Sequence, residues 1–197
     1  VDREAHMADY SPDLGVLGDL LMPKIKAADA VIISDYGKGF VTNELLEIVS
    51  DHARFVAIDP KPSRLLKYSS PDLLTPNQFE ALELAGLSKE TRSPFQQIEV
   101  VDRIFERFAP KMLAITLGSK GMLLAKDGKI TSTIPTAARE VFDVSGAGDT
   151  VIASLTMALV SGESFEHSAE FANLAAGVVV GKVGTATASP YEILNHL

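Results

Sequence analysis

Apolar residues recur along this chain with two different periods, and each change of period marks a boundary between elements. Leu14, Leu17, Leu20, Leu21 and Ile25 keep helical spacing, and Asp13 is placed to cap a helix over 14–27. Ala30–Ser34 is a short unbroken apolar run, the pattern of a buried strand, followed by the glycine loop Asp35-Tyr36-Gly37-Lys38-Gly39. Thr42-Asn43-Glu44 starts a helix with Leu45, Leu46, Ile48 and Val49 on one face. Phe55–Ile58 reads as the next strand. Asp59-Pro60-Lys61-Pro62 stops it, because proline has no N–H to give to a central ladder.

Leu73-Leu74-Thr75 predicts a third strand, and Pro76-Asn77 opens a helix holding Phe79, Leu82 and Leu84 that Gly86 closes. After a polar loop with Pro94, a helix over about 96–109 turns Ile98, Val101, Ile104, Phe105 and Phe108 inward. Met112–Thr116 is a strand. Met122–Ala125 and Ile130–Ile134 flank Lys126-Asp127-Gly128-Lys129, a hairpin signal. Val141-Phe142-Asp143-Val144 reads as a strand end before a glycine turn. Two apolar helices, about 148–161 and 165–183, and a short one after Pro190 complete the chain.

Strands alternating with helices imply an α/β fold, a mainly parallel sheet with helices on both faces. No repeat or linker interrupts it, so residues 1–197 read as one domain. In such sheets ligands bind beyond the carboxyl ends of the strands. Ser34–Gly39, Asp59–Lys61, Thr75–Asn77, Thr116–Gly121 and Asp143–Asp149 should therefore converge on one rim, bringing carboxylates, lysines, glycine turns and an amide together.

Composition narrows the partners. A net charge of −8 with Lys and Arg scattered argues against nucleic acid or an anionic membrane as ligand. The chain has no cysteine, which excludes disulfides and thiolate metal sites and fits a cytoplasmic protein. Its 4 histidines show no ligand spacing. No apolar stretch is as long as a membrane span.

The richest chemistry lies in Asp143-Val144-Ser145-Gly146-Ala147-Gly148-Asp149-Thr150, just before an apolar helix. Glycines let the backbone approach a ligand closely. The first N–H groups of a helix, backed by its dipole, favour bound negative charge. A carboxylate beside such a cradle is what phosphoryl transfer to a hydroxyl needs. The same residues are also compatible with a plain strand-to-helix turn. A dinucleotide fingerprint is excluded because Val151 stands where its third glycine belongs. A Walker loop is excluded because Gly148 is followed by Asp149-Thr150 rather than Lys-Ser/Thr.

Together with Asn77-Gln78-Phe79-Glu80 and Thr116-Leu117-Gly118-Ser119-Lys120-Gly121, this stretch resembles the signatures of the ribokinase-type (PfkB) carbohydrate kinases over nearly the whole chain. Within that family the nearest likeness is to kinases of heptose 7-phosphate. It is carried by Ser34–Gly39, Asp59-Pro60-Lys61, Leu74–Asn77 and Ala175–Thr185, with Pro62 standing where those kinases usually have glycine. The resemblance implies a ribokinase-like three-layer α/β/α fold, ATP and Mg²⁺ as cofactors, and phosphorylation of a sugar hydroxyl. The implied substrate is D-glycero-D-manno-heptose 7-phosphate, converted to the 1,7-bisphosphate in ADP-heptose (lipopolysaccharide core) synthesis. Another sugar or nucleoside kinase, or a nucleotide-binding module without turnover, is the alternative.

The roles it implies are specific. Asp149 is the base, and Gly146, Ala147 and Gly148 form the anion hole. Asn77 and Glu80 place Mg²⁺ and phosphate, with Glu80 reaching the metal through water. Thr116, Gly118 and Gly121 lie along the ATP and Asn173 near its adenine end. Lys38, Lys61 and Asp59 face the sugar phosphate. Each has a plainer reading: Asn77 as a helix cap, Glu80 as a first-turn charge, Asn173 as a satisfied amide, the lysines as solvated. Family members also begin with strands and a β lid that this chain lacks, and Val1–Glu4 resembles the strand returning from that lid. The chain thus reads as the C-terminal portion of a kinase domain, with an exposed sheet edge that favours self-association, including a homodimer.

Overall fold

The computed structural model describes residues 10–62, 66–87 and 95–196. The segment Val1–Glu4 and the loop around Pro94 lie outside the described residues. In chain order the elements are α1 (Leu14–Ala27), β1 (Val31–Ser34), α2 (Asn43–His52), β2 (Val56–Asp59), β3 (Leu73–Leu74), α3 (Gln78–Leu84), α4 (Gln97–Phe108), β4 (Met112–Thr116), β5 (Met122–Lys126), β6 (Lys129–Ile134), α5 (Ala147–Val160), α6 (Phe165–Val180) and α7 (Pro190–His196), with a 3₁₀ turn at Gly118–Lys120.

The strands lie side by side in chain order. β1 to β4 run parallel. β5 pairs antiparallel with β4, and β6 antiparallel with β5, so the sheet is mixed but its site-bearing half is parallel. The turn between them uses Asp127 and Gly128 at φ 52° and 74°, the left-handed pair that matches the twist of a two-residue hairpin.

Period-two alternation sorts the strand side chains into two cores. Ile33, Ile58, Leu74, Leu113, Ile115 and Leu123 pack with α1 to α4. Ala57, Leu73, Ala114, Met122 and Leu124 pack with α5 and α6. This is the three-layer arrangement expected from the sequence. Short side chains on the second face, such as Ala57, Ala114, Ala169 and Ala172, are all buried there.

Three expectations need correction. First, Ile98, expected to turn inward from α4, is 71% exposed. The face of α4 that does pack includes Phe108, against which the buried Tyr68 of the β2–β3 connection lies at a ring-centroid distance of 6.1 Å. Second, Val141–Val144 is a loop, not a strand. Val141, Phe142 and Val144 are 61%, 63% and 69% exposed, and the amides of Phe142 and Asp143 bond to the carbonyl of Val180 at the end of α6 instead of to a ladder. Third, α6 stops at Val180, because Gly181 takes a non-helical conformation as its C-cap.

Candidate active site

The first turn of α5 is built on Gly146, whose φ of 78° lies in the left-handed region that glycine enters without penalty. Thr150 N donates to Gly146 O at 3.0 Å and Ala147 N to Val144 O at 3.2 Å. The Ala147 amide is therefore engaged in the turn, which leaves Gly148 and Asp149 with first-turn N–H groups that have no intrahelical acceptor. Ahead of the turn, Asp143 accepts from Ser145 N (2.9 Å) and Gly184 N (3.2 Å). These bonds, Ser145's first, hold its carboxyl below the usual carboxylate range and tie the loop before α5 to the chain after α6.

Asp149 is exposed and is gripped from β1. Its Oδ1 accepts from Ser34 Oγ at 3.2 Å, and both oxygens accept from the Tyr36 hydroxyl at 2.9 and 3.0 Å. Beside it, a Cβ built on Gly148 would meet Asp59 Oδ2 at 3.9 Å, so the end of β2 touches the start of α5. Lys61 Nζ donates to Glu80 Oε1 at 3.1 Å, and Glu80 Oε2 accepts from Asn77 N at 2.9 Å. Asn77 Oδ1 in turn accepts from Phe79 N and Glu80 N, a complete capping box. The helix-cap reading of Asn77 and the first-turn reading of Glu80 are thus both realised. Asn77 also bridges to Thr116 at the end of β4.

Crowding of acids has a measurable consequence. Burial first, then the charges of Glu80 and Asp149, push the Asp59 carboxyl up to about 7, against the opposing pull of Lys61. A carboxyl that ionises less readily folded than unfolded makes the folded chain bind the extra proton between its two pKa values. Without metal or nucleotide, Asp59 therefore lowers stability as pH rises from about 4 to 7, by no more than about 1.4 kcal/mol per pH unit. Urea unfolding of wild type and Asp59→Asn at pH 5.5 and 8 is expected to show the variant less sensitive to pH. Equal slopes would contradict the assignment.

On the other side of the α5 turn lies a cleft of about 430 Å³, lined by Thr116, Gly118, Gly121, Ala147, Gly148 and Asn173 among others. Its outer wall is the chain after β6: Asn173 Nδ2 donates to Pro135 O at 2.7 Å, and His196 of α7 bonds to Ala137 O at 2.9 Å. Val141 and Val144, apolar yet exposed, also line it. Of the nine residues that the resemblance assigned to nucleotide or phosphate, Thr116, Gly118, Gly121, Ala147, Gly148 and Asn173 share this cavity, whereas Gly146, Asn77 and Glu80 do not line it. Asn173 lines the cleft while its Nδ2 is engaged by Pro135 O. Lys38 is exposed on the β1 loop, and Lys61 and Asp59 sit at the end of β2.

The expected rim forms, with one change. Its fifth loop comes from the 135–146 segment rather than from a strand. The sequence reading missed Ser34 and Tyr36 as partners of Asp149. Both lie inside the motif that carried the likeness, but a contact across 113 residues leaves no trace in local spacing.

A three-layer α/β/α fold with a glycine turn, a helix start and a carboxylate at the carboxyl end of a parallel sheet defines a class of small-molecule kinase. The chain belongs to the pfkB family of carbohydrate kinases, whose profile it matches over residues 8–192. It is 41% identical over 196 residues to the bifunctional protein HldE of Sulfurimonas denitrificans, covering 98% of this chain and 40% of that protein. To the HldE of Geobacter sulfurreducens it is 42% identical over 200 residues, covering 100% and 38%. The chain thus spans about two fifths of the length of the curated relatives it matches. The structure of Arabidopsis thaliana ribokinase complexed with ribose and ATP superposes with a TM-score of 0.76 at 25% identity, over 90% of this chain and 58% of that one. A ribokinase from Giardia lamblia, at 22% identity, shares the fold with a TM-score of 0.77 over 93% of this chain and 64% of that one. Among the described residues no helix is long and apolar enough to cross a membrane.

Proposed function

We propose that this chain supplies the nucleotide and base half of an ATP-dependent sugar kinase, with heptose 7-phosphate as the acceptor. The observation that carries the reading is the position of Asp149 in a helix start whose neighbours, Ala147 and Gly148, line the cleft. ATP lies in the cleft along Thr116, Gly118 and Gly121, with Asn173 toward the base. Its terminal phosphoryl group meets the amides of Gly148 and Asp149 at the positive end of α5. The acceptor oxygen bonds to the γ-phosphorus as the bridge to the β-phosphate breaks. The hydroxyl proton passes to Asp149, and ADP leaves. Aspartate is ordinarily a weak base, which suffices where positioning and charge stabilisation do most of the work.

The residues fit a magnesium ion held mostly by phosphate and water. Among the described residues no group of three or more histidines and acids could hold a metal alone. Glu80 has both oxygens engaged, so it would reach the ion through water, and a cation would relieve the crowding that raises Asp59. When bound, the ion offsets charge on the transferring phosphates. Lys61 and Lys38 carry positive charge on the sugar side of the rim and suit a phosphorylated acceptor. The relatives named HldE support the heptose assignment.

ADP release by the protein with ATP–Mg²⁺ and a panel of sugars, sugar phosphates and nucleosides tests the reading. Heptose 7-phosphate is expected to exceed the others in kcat/KM by about tenfold or more. A nucleoside or unphosphorylated sugar that performs better would overturn the substrate. Nucleotide binding without ADP release would favour a binding module over a kinase.

A further inference from the structure

Tyr36 is 62% exposed, so its ring gains little from burial, yet its hydroxyl bonds both Asp149 oxygens. A phenol shared between the two oxygens covers the front edge of the carboxylate, the edge an alcohol would use to hand over its proton. Ser34 Oγ occupies Oδ1 as well. The base of the loop is fixed: Asp35 is buried and accepts from Gly37 N at 2.8 Å and Tyr68 OH at 2.9 Å. The phenol can therefore leave Asp149 by turning about its own side-chain torsions, with the backbone in place. Its proton is firmly held. Ser34's hydroxyl favours the ionised phenol, but the bond to Asp149, burial and the acidic surroundings outweigh it and raise the Tyr36 pKa above its ordinary value.

We propose that Tyr36 is a place-holder for the acceptor alcohol, covering Asp149 until a sugar displaces it and so keeping water from taking the phosphoryl group. The proposal rests on the reading of Asp149 as the acceptor-side base. The reaction it suppresses is hydrolysis. Water oxygen bonds to the γ-phosphorus, the bridge to the β-phosphate breaks, the water proton goes to Asp149, and ADP and inorganic phosphate leave. A tethered phenol competes well with a single water for the carboxylate, because its binding costs no translational freedom. A sugar held by several groups has the additional binding energy to turn it aside.

The test is Tyr36→Phe, which keeps the exposed ring and removes only the hydroxyl. ADP release with ATP–Mg²⁺ and no sugar is expected to rise on the order of tenfold, with a lower KM for the acceptor. Adding Asp149→Asn should abolish that rise. Unchanged hydrolysis in Tyr36→Phe, while Asp149→Asn still stops transfer, overturns the place-holder and leaves the base reading standing. A rise that survives Asp149→Asn removes Asp149 as the base. A fall in transfer kcat with hydrolysis unchanged would make Tyr36 a positioning residue and also overturn the proposal. Phosphate found on Tyr36 by mass spectrometry would do the same. A direct readout is ¹⁹F NMR of 3-fluorotyrosine-labelled protein, with the Tyr36 resonance assigned through the Phe variant. That resonance is expected to move when the acceptor binds and to stay put with ATP alone.

Discussion

Asp149→Asn is expected to lower phosphoryl transfer by about a thousandfold while ATP still binds, which is the scale that a positioned general base contributes. The substitution keeps the size and planarity of the side chain, and its amide oxygen can still accept from Ser34 or Tyr36. What it loses is the ability to take a proton. Stability should change little, because Asp149 is exposed and its carboxylate gains only a modest amount from the helix dipole, about 0.3–1 kcal/mol. The cleft proposed for the nucleotide is lined by Thr116, Gly118, Gly121 and Asn173 and not by the carboxylate, so calorimetry should return an ATP affinity close to wild type. Single-turnover ADP release measures the loss. A variant that keeps turnover within tenfold of wild type would remove Asp149 from the base role, and a variant that loses ATP binding would make it part of the nucleotide site.

How much of this was legible depended on whether the signal was local. Caps and turns were. Thr42 ahead of α2 and Asn77 ahead of α3 both accept from their helix amides, and Asp127-Gly128 turns the hairpin, because each is decided by residues within four positions of one another. Val141–Val144 misled for a physical reason. Its apolar residues look like a strand, but Val141 and Val144 line the cleft, largely exposed, rather than a core. An apolar run does not say whether a core or an open cleft takes it up. The contact of Tyr36 with Asp149 and the near-neutral carboxyl of Asp59 arise only where the ends of β1 and β2, the start of α3 and the start of α5 meet. No single stretch carries them. Family resemblance reached the residues of this rim, and geometry supplied what holds them.

Two glycines of the same turn separate strain from contact. Gly118 and Gly121 both have positive φ, 60° and 90°. A Cβ at Gly118 meets nothing within 4 Å, whereas one at Gly121 would run into the Ile134 carbonyl, with Pro135 C and Thr136 N each at 2.7 Å. Gly118→Ala should therefore cost only the backbone penalty, about 1–2 kcal/mol. Gly121→Ala carries that penalty and a collision with main chain, which cannot step aside as a flexible side chain could. To relieve it, Ile134–Thr136 must move outward. That segment forms the outer wall of the cleft and is fastened to α6 through Asn173 and Pro135. The expected loss is about 3 kcal/mol or more, on the scale of other strained sites. It corresponds to a fall in Tm of roughly 10 °C for a chain of this size, together with at least about tenfold weaker ATP binding. Thermal unfolding and calorimetry on the two variants side by side decide the matter. If they fall equally in Tm and both keep their ATP affinity, the close approach of residue 121 to the wall does not shape the cleft proposed for the nucleotide.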